Sequence, residues 1–292
     1  MAASEPDESV VIEGRGHRID RPVRLSLQRH RYGEGKQMLI TRDVTLLEQA
    51  EAMRRDFVAN VSHEIRTPLT VLSGFVETLQ TLSLPPDDQQ RYLALMSTQA
   101  HRMQTLVEDL LTLSRLEGSP NPGVHSQLPL AKLMQACEQE ALGLSATMSN
   151  GVCVQTIEFT VDPSLSEAVL LGEPRELQSA LSNLVSNAVR YTPVDGTIQV
   201  NACVKPDGHL QLSVKDSGAG IAAEHLPRLT ERFYRVDRSR SRESGGTGLG
   251  LAIVKHVMQR HGGSLVVTSV LGQGSTFTLV LPGTRWRLSP TR

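Results

Sequence analysis

The sequence predicts an α+β protein built in two modules, a helical hairpin that pairs into a dimeric four-helix bundle and an α/β sandwich behind it. Three observations carry this reading. Apolar residues recur at helical spacing from Thr45 onward. After a Pro-Pro break they resume with alternating spacings of four and three. Beyond a linker rich in Pro, Gly and Ser, strand and helix patterns are interspersed. A length of 292 residues accommodates both modules.

Residues 1–22 read as a disordered or partial leading segment, with Met1 to about Glu8 a polar tail. Val23-Arg-Leu-Ser-Leu-Gln alternates apolar and polar side chains, Tyr32-Gly-Glu-Gly-Lys36 supplies a turn, and Met38 to Asp43 reads as a second strand. A lone hairpin over 23–44 is marginal in water, so it is expected to end a larger sheet domain.

The helical module is expected over 45–117. Met53, Phe57, Val61, Ile65, Leu69, Leu72, Phe75, Val76 and Leu79 fall within an arc of roughly 160°. His63 lies away from that arc, with Asn60 one turn before it and Thr67 one turn after, so it is presented to solvent or to a partner. Pro68 lacks the N–H that would bond the Glu64 carbonyl and should loosen or kink the helix there. Leu84-Pro-Pro-Asp-Asp breaks the helix. Met96, Ala100, Met103, Val107, Leu110 and Ser114 then form a coiled-coil seam. Two helices cannot enclose their own apolar stripes, which makes a homodimeric four-helix bundle the expected solution.

Glu117 to Ser126 reads as the interdomain linker, assigned to 118–127, with the second domain over 128–283 and a tail at 284–292. Helices are expected at Leu130–Leu142, Glu173–Tyr191 and Val254–His261. Strands are expected at Thr156–Val161, Ala168–Leu171, Thr197–Val204, Leu210–Asp216, Leu265–Ser269 and Thr276–Leu281. Such an alternation gives a sheet covered on one face by helices.

Composition narrows the function. A net charge of −1 gives no electrostatic case for nucleic acid. Cys137, Cys153 and Cys203 lack metal or redox spacing. No apolar run approaches the roughly 20 residues that span a bilayer, and no signal peptide is evident. The chain as given is therefore expected to be cytoplasmic, without membrane contact.

Four segments of the second domain carry chemistry. Asn183 and Asn187 stand one turn apart on a helix, where amide oxygens suit a Mg²⁺ shell and Arg190 suits phosphate oxygens. The plainer alternative is helix-face asparagines bonded to nearby backbone. Asp216-Ser-Gly218-Ala-Gly220 offers a carboxylate for an exocyclic amino group, and glycines that admit a flat base. Gly246-Thr247-Gly248-Leu249-Gly250 opens onto a helix whose backbone amides suit phosphates. It lacks both the Gly-Lys-[Ser/Thr] ending of a P-loop and the βαβ setting of a dinucleotide fingerprint. Gly272-Gln-Gly274 is a second such turn or a simple hairpin turn. Between the second and third of these four, Leu226 to Ser244 holds Phe233, Tyr234, Arg235, Arg238, Arg240 and Arg242, and reads as a lid or as a solvated basic loop.

Taken in order, the His63, Asn183/Asn187, Asp216, Phe233, Gly246–Gly250 and Gly272/Gly274 motifs resemble those of bacterial two-component sensor histidine kinases, over residues 45 to 283. A narrower likeness, to phosphate-regulon sensor kinases, is carried by Arg42-Asp-Val-Thr, by Arg54-Arg-Asp-Phe-Val-Ala-Asn-Val-Ser-His63, and by Pro227 to Asp237. The 23–44 hairpin looks like the tail of a PAS sheet. The resemblance implies a Bergerat-type ATP-binding sandwich, with ATP and Mg²⁺ as cofactors. It makes His63 the phosphoacceptor, with Glu64 orienting it or accepting its proton. It has Thr67 position a water for dephosphorylation of the partner. Asn187 would bind Mg²⁺ with support from Asn183, while Arg190, Tyr191 and Arg235 line the phosphates. Asp216 would read the adenine amino group beside Gly218 and Gly220, and Gly246, Thr247, Gly248, Leu249 and Gly250 would wrap the triphosphate.

The resemblance further implies a homodimer, a response-regulator receiver domain as partner, and a linker that acts as the hinge. It implies membrane helices and the front of a PAS domain ahead of this chain, so that the chain is N-terminally truncated and the whole protein is anchored in the inner membrane. Arg190 stands where lysine is common, which keeps the charge and changes its geometry. Two other classes weighed are a non-kinase ATPase of the same nucleotide fold and a phosphatase-biased scaffold. The helix carrying His63 argues against the first, and intact Asn187, Asp216 and Gly248 argue against dead catalysis in the second without setting a kinase-to-phosphatase balance.

Overall fold

The computed structural model describes residues 9–15, 22–32, 36–149, 154–236 and 246–289. Met1 to Glu8, Cys153, Arg238, Arg240 and Arg242 lie outside the described residues. The chain divides into two units, residues 1–67 and 68–292.

The first unit begins with an antiparallel sheet of three strands, β1 (Ser9–Arg15), β2 (Pro22–Tyr32) and β3 (Lys36–Asp43). The hairpin expected over 23–44 is present and has a third strand beside it. The leading segment read as disordered or partial supplies β1, because Val10, Val11 and Ile12 form a β-branched run that pairs with Leu27, Ser26 and Leu25. Strand β3 runs almost directly into helix α1 (Thr45–Thr81). Asp43 Oδ1 accepts the Thr45 N–H at 2.9 Å, which satisfies one of the donors that a helix start leaves open. Thr45 Oγ1 in turn accepts the Arg24 N–H at 2.8 Å, and the Arg24 guanidinium pairs with Glu48 on the first turn at 2.5 Å. Helix α1 runs through Pro68 without interruption, so the expected loosening does not end the helix.

In the second unit α1 turns at residues 82–85 into α2 (Pro86–Gly118). Phe75 and Tyr92 meet edge to face across the hairpin, with ring centroids 5.3 Å apart. Within one chain the α1 stripe is partly uncovered: Met53 (64%), Leu69 (52%) and Val76 (39%) are exposed, and the other six residues are half-buried. On α2 the buried residues are Leu106, Leu113 and Leu116, a face distinct from the Met103/Leu110 seam. They pack toward the sandwich, against the helix that follows the glycine-rich loop.

The sandwich has a sheet in the order β5 (Thr156–Val161), β7 (Thr197–Val204), β8 (Leu210–Asp216), β10 (Gly274–Leu281), β9 (Ser264–Val270). Only β5 and β7 run parallel; the remaining pairs are antiparallel. Alternation puts Ile198, Val200, Ala202, Leu210, Leu212, Val214, Leu279 and Leu281 on one buried face. Helices α3 (Leu130–Met148), α4 (Pro174–Tyr191) and α5 (Gly250–Arg260) supply the apolar residues of the same core. A second small sheet, β11-β6-β4, joins Trp286–Leu288, Ala168–Leu171 and Gln127–Pro129.

Within residues 284–292, read as a tail, β11 pairs with β6, and Trp286 Nε1 donates to the Gly208 carbonyl at 3.0 Å. The linker segment is also tied down. Arg260 donates to the carbonyls of Leu116, Ser119 and Pro120, Arg285 to those of Pro122 and Gly123, and the Gly172 N–H to that of Ser126. Irregular backbone that would otherwise depend on water is fixed by two guanidinium groups.

Candidate functional site

His63 is exposed on α1, Glu64 is half-buried beside it, and Thr67 is exposed one turn on. The Thr67 hydroxyl donates to the His63 carbonyl at 3.1 Å, so its proton is engaged while its oxygen lone pairs face outward as acceptors. The imidazole is thus displayed rather than packed, as the helical pattern requires.

Helix α4 carries the two asparagines. Asn183 donates to the Ser179 carbonyl at 2.8 Å, and its amide oxygen lies over Gly250, where any β-carbon would collide with it. Asn187, half-buried one turn on, makes no side-chain hydrogen bond among the described residues. The plain reading of backbone-bonded asparagines therefore fits Asn183 alone. Arg190 is half-buried near the end of the helix, and Tyr191 is half-exposed, its hydroxyl 3.8 Å from where a Gly246 β-carbon would stand.

Asp216, at the end of β8, is buried. Its Oδ1 accepts the N–H of Gly218 at 2.9 Å and of Ser275 at 3.3 Å. Burial pushes its carboxyl above the ordinary carboxylate range, and the two N–H donors pull back against that. One carboxylate oxygen is thereby anchored, which leaves the other to meet a donor. Gly218 packs on the Tyr191 carbonyl and Gly220 on that of Val270, both too closely for a β-carbon. The Gly272 turn joins β9 to β10, and its N–H donates to the Ala219 carbonyl at 2.7 Å. It is thus a hairpin turn and also the backing of the Asp216 loop.

The glycine-rich segment leads into α5. Gly248 has φ +74°, and a β-carbon there would stand 2.9 Å from Phe233 Cα and 3.3 Å from the Arg235 stem. Phe233 itself has φ +63°, and its N–H donates to the Gly248 carbonyl at 2.9 Å. The base of the expected lid is therefore fastened to the loop. Leu249 is wholly buried, and the Leu249 N–H donates to Thr247 Oγ1 at 3.2 Å. The side chains of Asn183, Tyr191 and Arg235 thus converge on Gly246–Gly250 at the positive end of α5, an arrangement suited to phosphates.

Mg²⁺ fits the donor set. Among the described residues no group of three His, Cys, Asp or Glu side chains forms a cage. A small hard cation bound mainly by substrate and water would need none, and the amide oxygen of Asn187 would be its protein ligand. Sequence reasoning missed Ser275, which holds Asp216 from the neighbouring strand, and Asp109 on α2, which accepts from Thr247 at 2.6 Å. Asp109 lies in no motif, and Ser275 follows Gly274 in the last glycine turn without a role assigned to it. Only the β8–β10 register and the folding back of α2 reveal them.

Comparison with known proteins is consistent with this geometry. Residues 53–119, which contain His63, match the His Kinase A (phospho-acceptor) domain. Residues 172–285, which contain all the cleft residues above except Asp109, match the histidine kinase-, DNA gyrase B-, and HSP90-like ATPase domain. The phosphate regulon sensor protein PhoR of Pseudomonas aeruginosa is 48% identical over 260 residues, covering 87% of this chain and 56% of that protein. The sensor-like histidine kinase SenX3 of Mycolicibacterium smegmatis is 41% identical over 234 residues, covering 80% and 58%. The chain thus spans a little over half the length of these curated relatives. Full-length ShkA in complex with AMPPNP superposes with a TM-score of 0.56 at 26% identity, over 81% of this chain and 47% of that one. Histidine kinase ThkA in complex with the response regulator TrrA has the same fold, with a TM-score of 0.61 at 20% identity, over 94% and 78%. Among the described residues no helix is long and apolar enough to cross a membrane.

Proposed function

Because the chain belongs to the histidine kinases, with their phospho-acceptor domain ahead of their ATPase domain, we propose that it phosphorylates His63 from Mg-ATP and passes the phosphoryl group to an aspartate of a response regulator, in phosphate-starvation signalling. The observation that carries the reading is the pairing, in one chain, of an outward-facing His63 within the phospho-acceptor segment and a glycine loop at a helix N-terminus within the ATPase segment.

In this reading Asp216 accepts from the adenine amino group with the oxygen not anchored by Gly218 and Ser275. The loop Gly246–Gly250 takes the triphosphate on backbone N–H groups, and Arg190, Tyr191 and Arg235 answer its charge. Asn187 would hold Mg²⁺, and Asn183, bonded to Ser179, keeps Gly250 in place. The metal, when bound, neutralises charge on the transferred phosphoryl oxygens. His63 attacks the γ-phosphorus with a ring-nitrogen lone pair, the bond to the ADP oxygen breaks, and an N–P bond forms. Glu64, its neighbour, accepts the proton that the other ring nitrogen then releases. Little covalent work falls to the protein, so bringing the γ-phosphate within reach of His63 is the main task.

Thr67, with its proton given to the His63 carbonyl, accepts from a water that hydrolyses the phosphorylated regulator. The partly uncovered α1 stripe is closed by a second copy in a four-helix bundle. The β1–β3 sheet is the end of a PAS domain, and the whole protein is anchored in the inner membrane with this portion in the cytoplasm. The test is a transfer profile: phosphorylated protein is mixed with a panel of receiver domains. Rapid transfer to one receiver encoded with phosphate-uptake genes is expected, and equal or no transfer across the panel would overturn the signalling assignment.

A further inference from the structure

Helix α2 does more than complete a hairpin. Its Leu106, Leu113 and Leu116 are buried on the α5 side. Its last turn places Glu117 against the Arg232 guanidinium and 3.6 Å from His256 Nε2. About two turns earlier, Asp109 meets the glycine-rich loop. Thr247 Oγ1 donates to Asp109 Oδ2 at 2.6 Å and accepts the Leu249 N–H, so the carboxylate is coupled to the loop backbone through one hydroxyl. Burial raises the Asp109 carboxyl above its ordinary range, while the Thr247 bond and the field of Arg190 act the other way. The Asp109 carboxylate thus sits on the Thr247 hydroxyl and within the field of Arg190.

A carboxylate and a triphosphate compete for the same charges. Both are anionic acceptors, both draw on Arg190, and both are served by donors of the loop. Bringing a second anion next to a partly buried carboxylate is unfavourable unless one of them leaves.

We propose that α2 is an intramolecular competitor of the nucleotide: Asp109 stands in for a phosphate oxygen at Thr247 of the glycine-rich loop, so that binding of a polyphosphate releases α2 from the loop. The proposal rests on the reading of Gly246–Gly250 as the phosphate cradle. Nucleotide occupancy would then be coupled to the freedom of the helix that pairs with the His63 helix. By reciprocity, α2 docked on the loop weakens nucleotide binding by the factor with which nucleotide weakens docking.

The test is equilibrium binding of a non-hydrolysable ATP analogue with Mg²⁺, of inorganic tripolyphosphate and of adenosine, to the full chain and to its Asp109→Asn and Asp109→Glu variants. Asparagine keeps an acceptor for Thr247 and removes the charge, while glutamate keeps the charge. The Asp109→Asn chain is expected to bind the analogue and tripolyphosphate roughly tenfold more tightly, with adenosine unchanged and Asp109→Glu close to the parent. Amide exchange across 106–117 should rise when the parent is saturated with analogue. Equal or weaker analogue binding by Asp109→Asn, or a gain for adenosine as well, would overturn the proposal. Failure of every chain to bind the analogue would instead remove the nucleotide site on which it rests.

Discussion

Replacing Arg260 by methionine removes the charge that ties the linker to the ATPase domain while keeping most of the side-chain bulk. The side chain is 9% exposed, and its partner Glu176 is 18% exposed. All five N–H donors are used: two reach Glu176 at 3.1 and 3.0 Å, and three reach the carbonyls of Leu116, Ser119 and Pro120 at 2.7–2.9 Å. Loss of the guanidinium leaves a largely buried carboxylate. Its nearest alternative is His261, 3.9 Å away. That imidazole is committed to the Val257 carbonyl and the Glu173 N–H, and burial holds its pKa below the usual value. Breaking a buried pair from one side costs about 3–5 kcal/mol. The Ser119 and Pro120 carbonyls lie on the exposed linker and can recover water, while that of Leu116 lies on the buried last turn of α2, so the pair sets the lower scale. For a domain of this size the ATPase transition should fall by roughly 6–20 °C. Thermal unfolding of Arg260→Met, of Glu176→Gln and of the double variant measures this. The double variant should regain about 1–3 kcal/mol relative to Arg260→Met, because the stranded charge is gone. A loss below about 1 kcal/mol for Arg260→Met, or a double variant no better than it, would refute the claim that Arg260 clamps the linker.

Two further outcomes follow from the cleft. Asp216→Asn should weaken binding of an ATP analogue by about 10- to 100-fold, the range of a hydrogen bond to a charged group, and unchanged affinity would refute the adenine-reading role. Since burial raises the Asp216 carboxyl, the folded protein holds that proton more tightly than the unfolded chain. Acidification should therefore remove the accepting carboxylate, and with it binding, at a pH above the ordinary carboxylate range. In the Asn variant this step should be missing from a binding-versus-pH curve. Gly248→Ala should lose at least about 1–2 kcal/mol of stability from the left-handed backbone alone. Its β-carbon would also press on Phe233 at 2.9 Å and displace the lid base, so that analogue binding falls as well. Calorimetry reads both, and full binding in that variant would show the Phe233–Gly248 fastening to be dispensable.

Much of this fold is legible because its elements are strongly patterned. Strands Thr156–Val161, Ala168–Leu171, Thr197–Val204 and Leu210–Asp216 have the bounds that alternation and β-branched residues indicate. Helix α3 runs on to Met148 beyond the expected Leu142, because Gly143, Ser145 and Ala146 carry no apolar signal although Ser145 is buried. The three-residue strands β4 and β11 are too short for a period to register, and they exist through pairing with β6. Composition marks the linker but not what holds it: its carbonyls meet Arg260 and Arg285 from more than a hundred residues away. On α2 the heptad seam concealed a second apolar face at Leu106, Leu113 and Leu116, since two stripes on one helix overlap in sequence. The cleft residues in motifs were legible for the opposite reason. Glycines at Gly248 and Gly250 mark places where Phe233 and Asn183 leave no room for a β-carbon.

The most direct test of the whole account is the fate of labelled phosphate. Protein incubated with γ-³²P-ATP and Mg²⁺ should acquire label that is lost in acid and retained in base, as an N–P bond requires. The His63→Gln variant should acquire none while still binding the ATP analogue. Label that persists in His63→Gln, or that survives acid in the parent, would contradict the assignment of His63 as the phosphoacceptor.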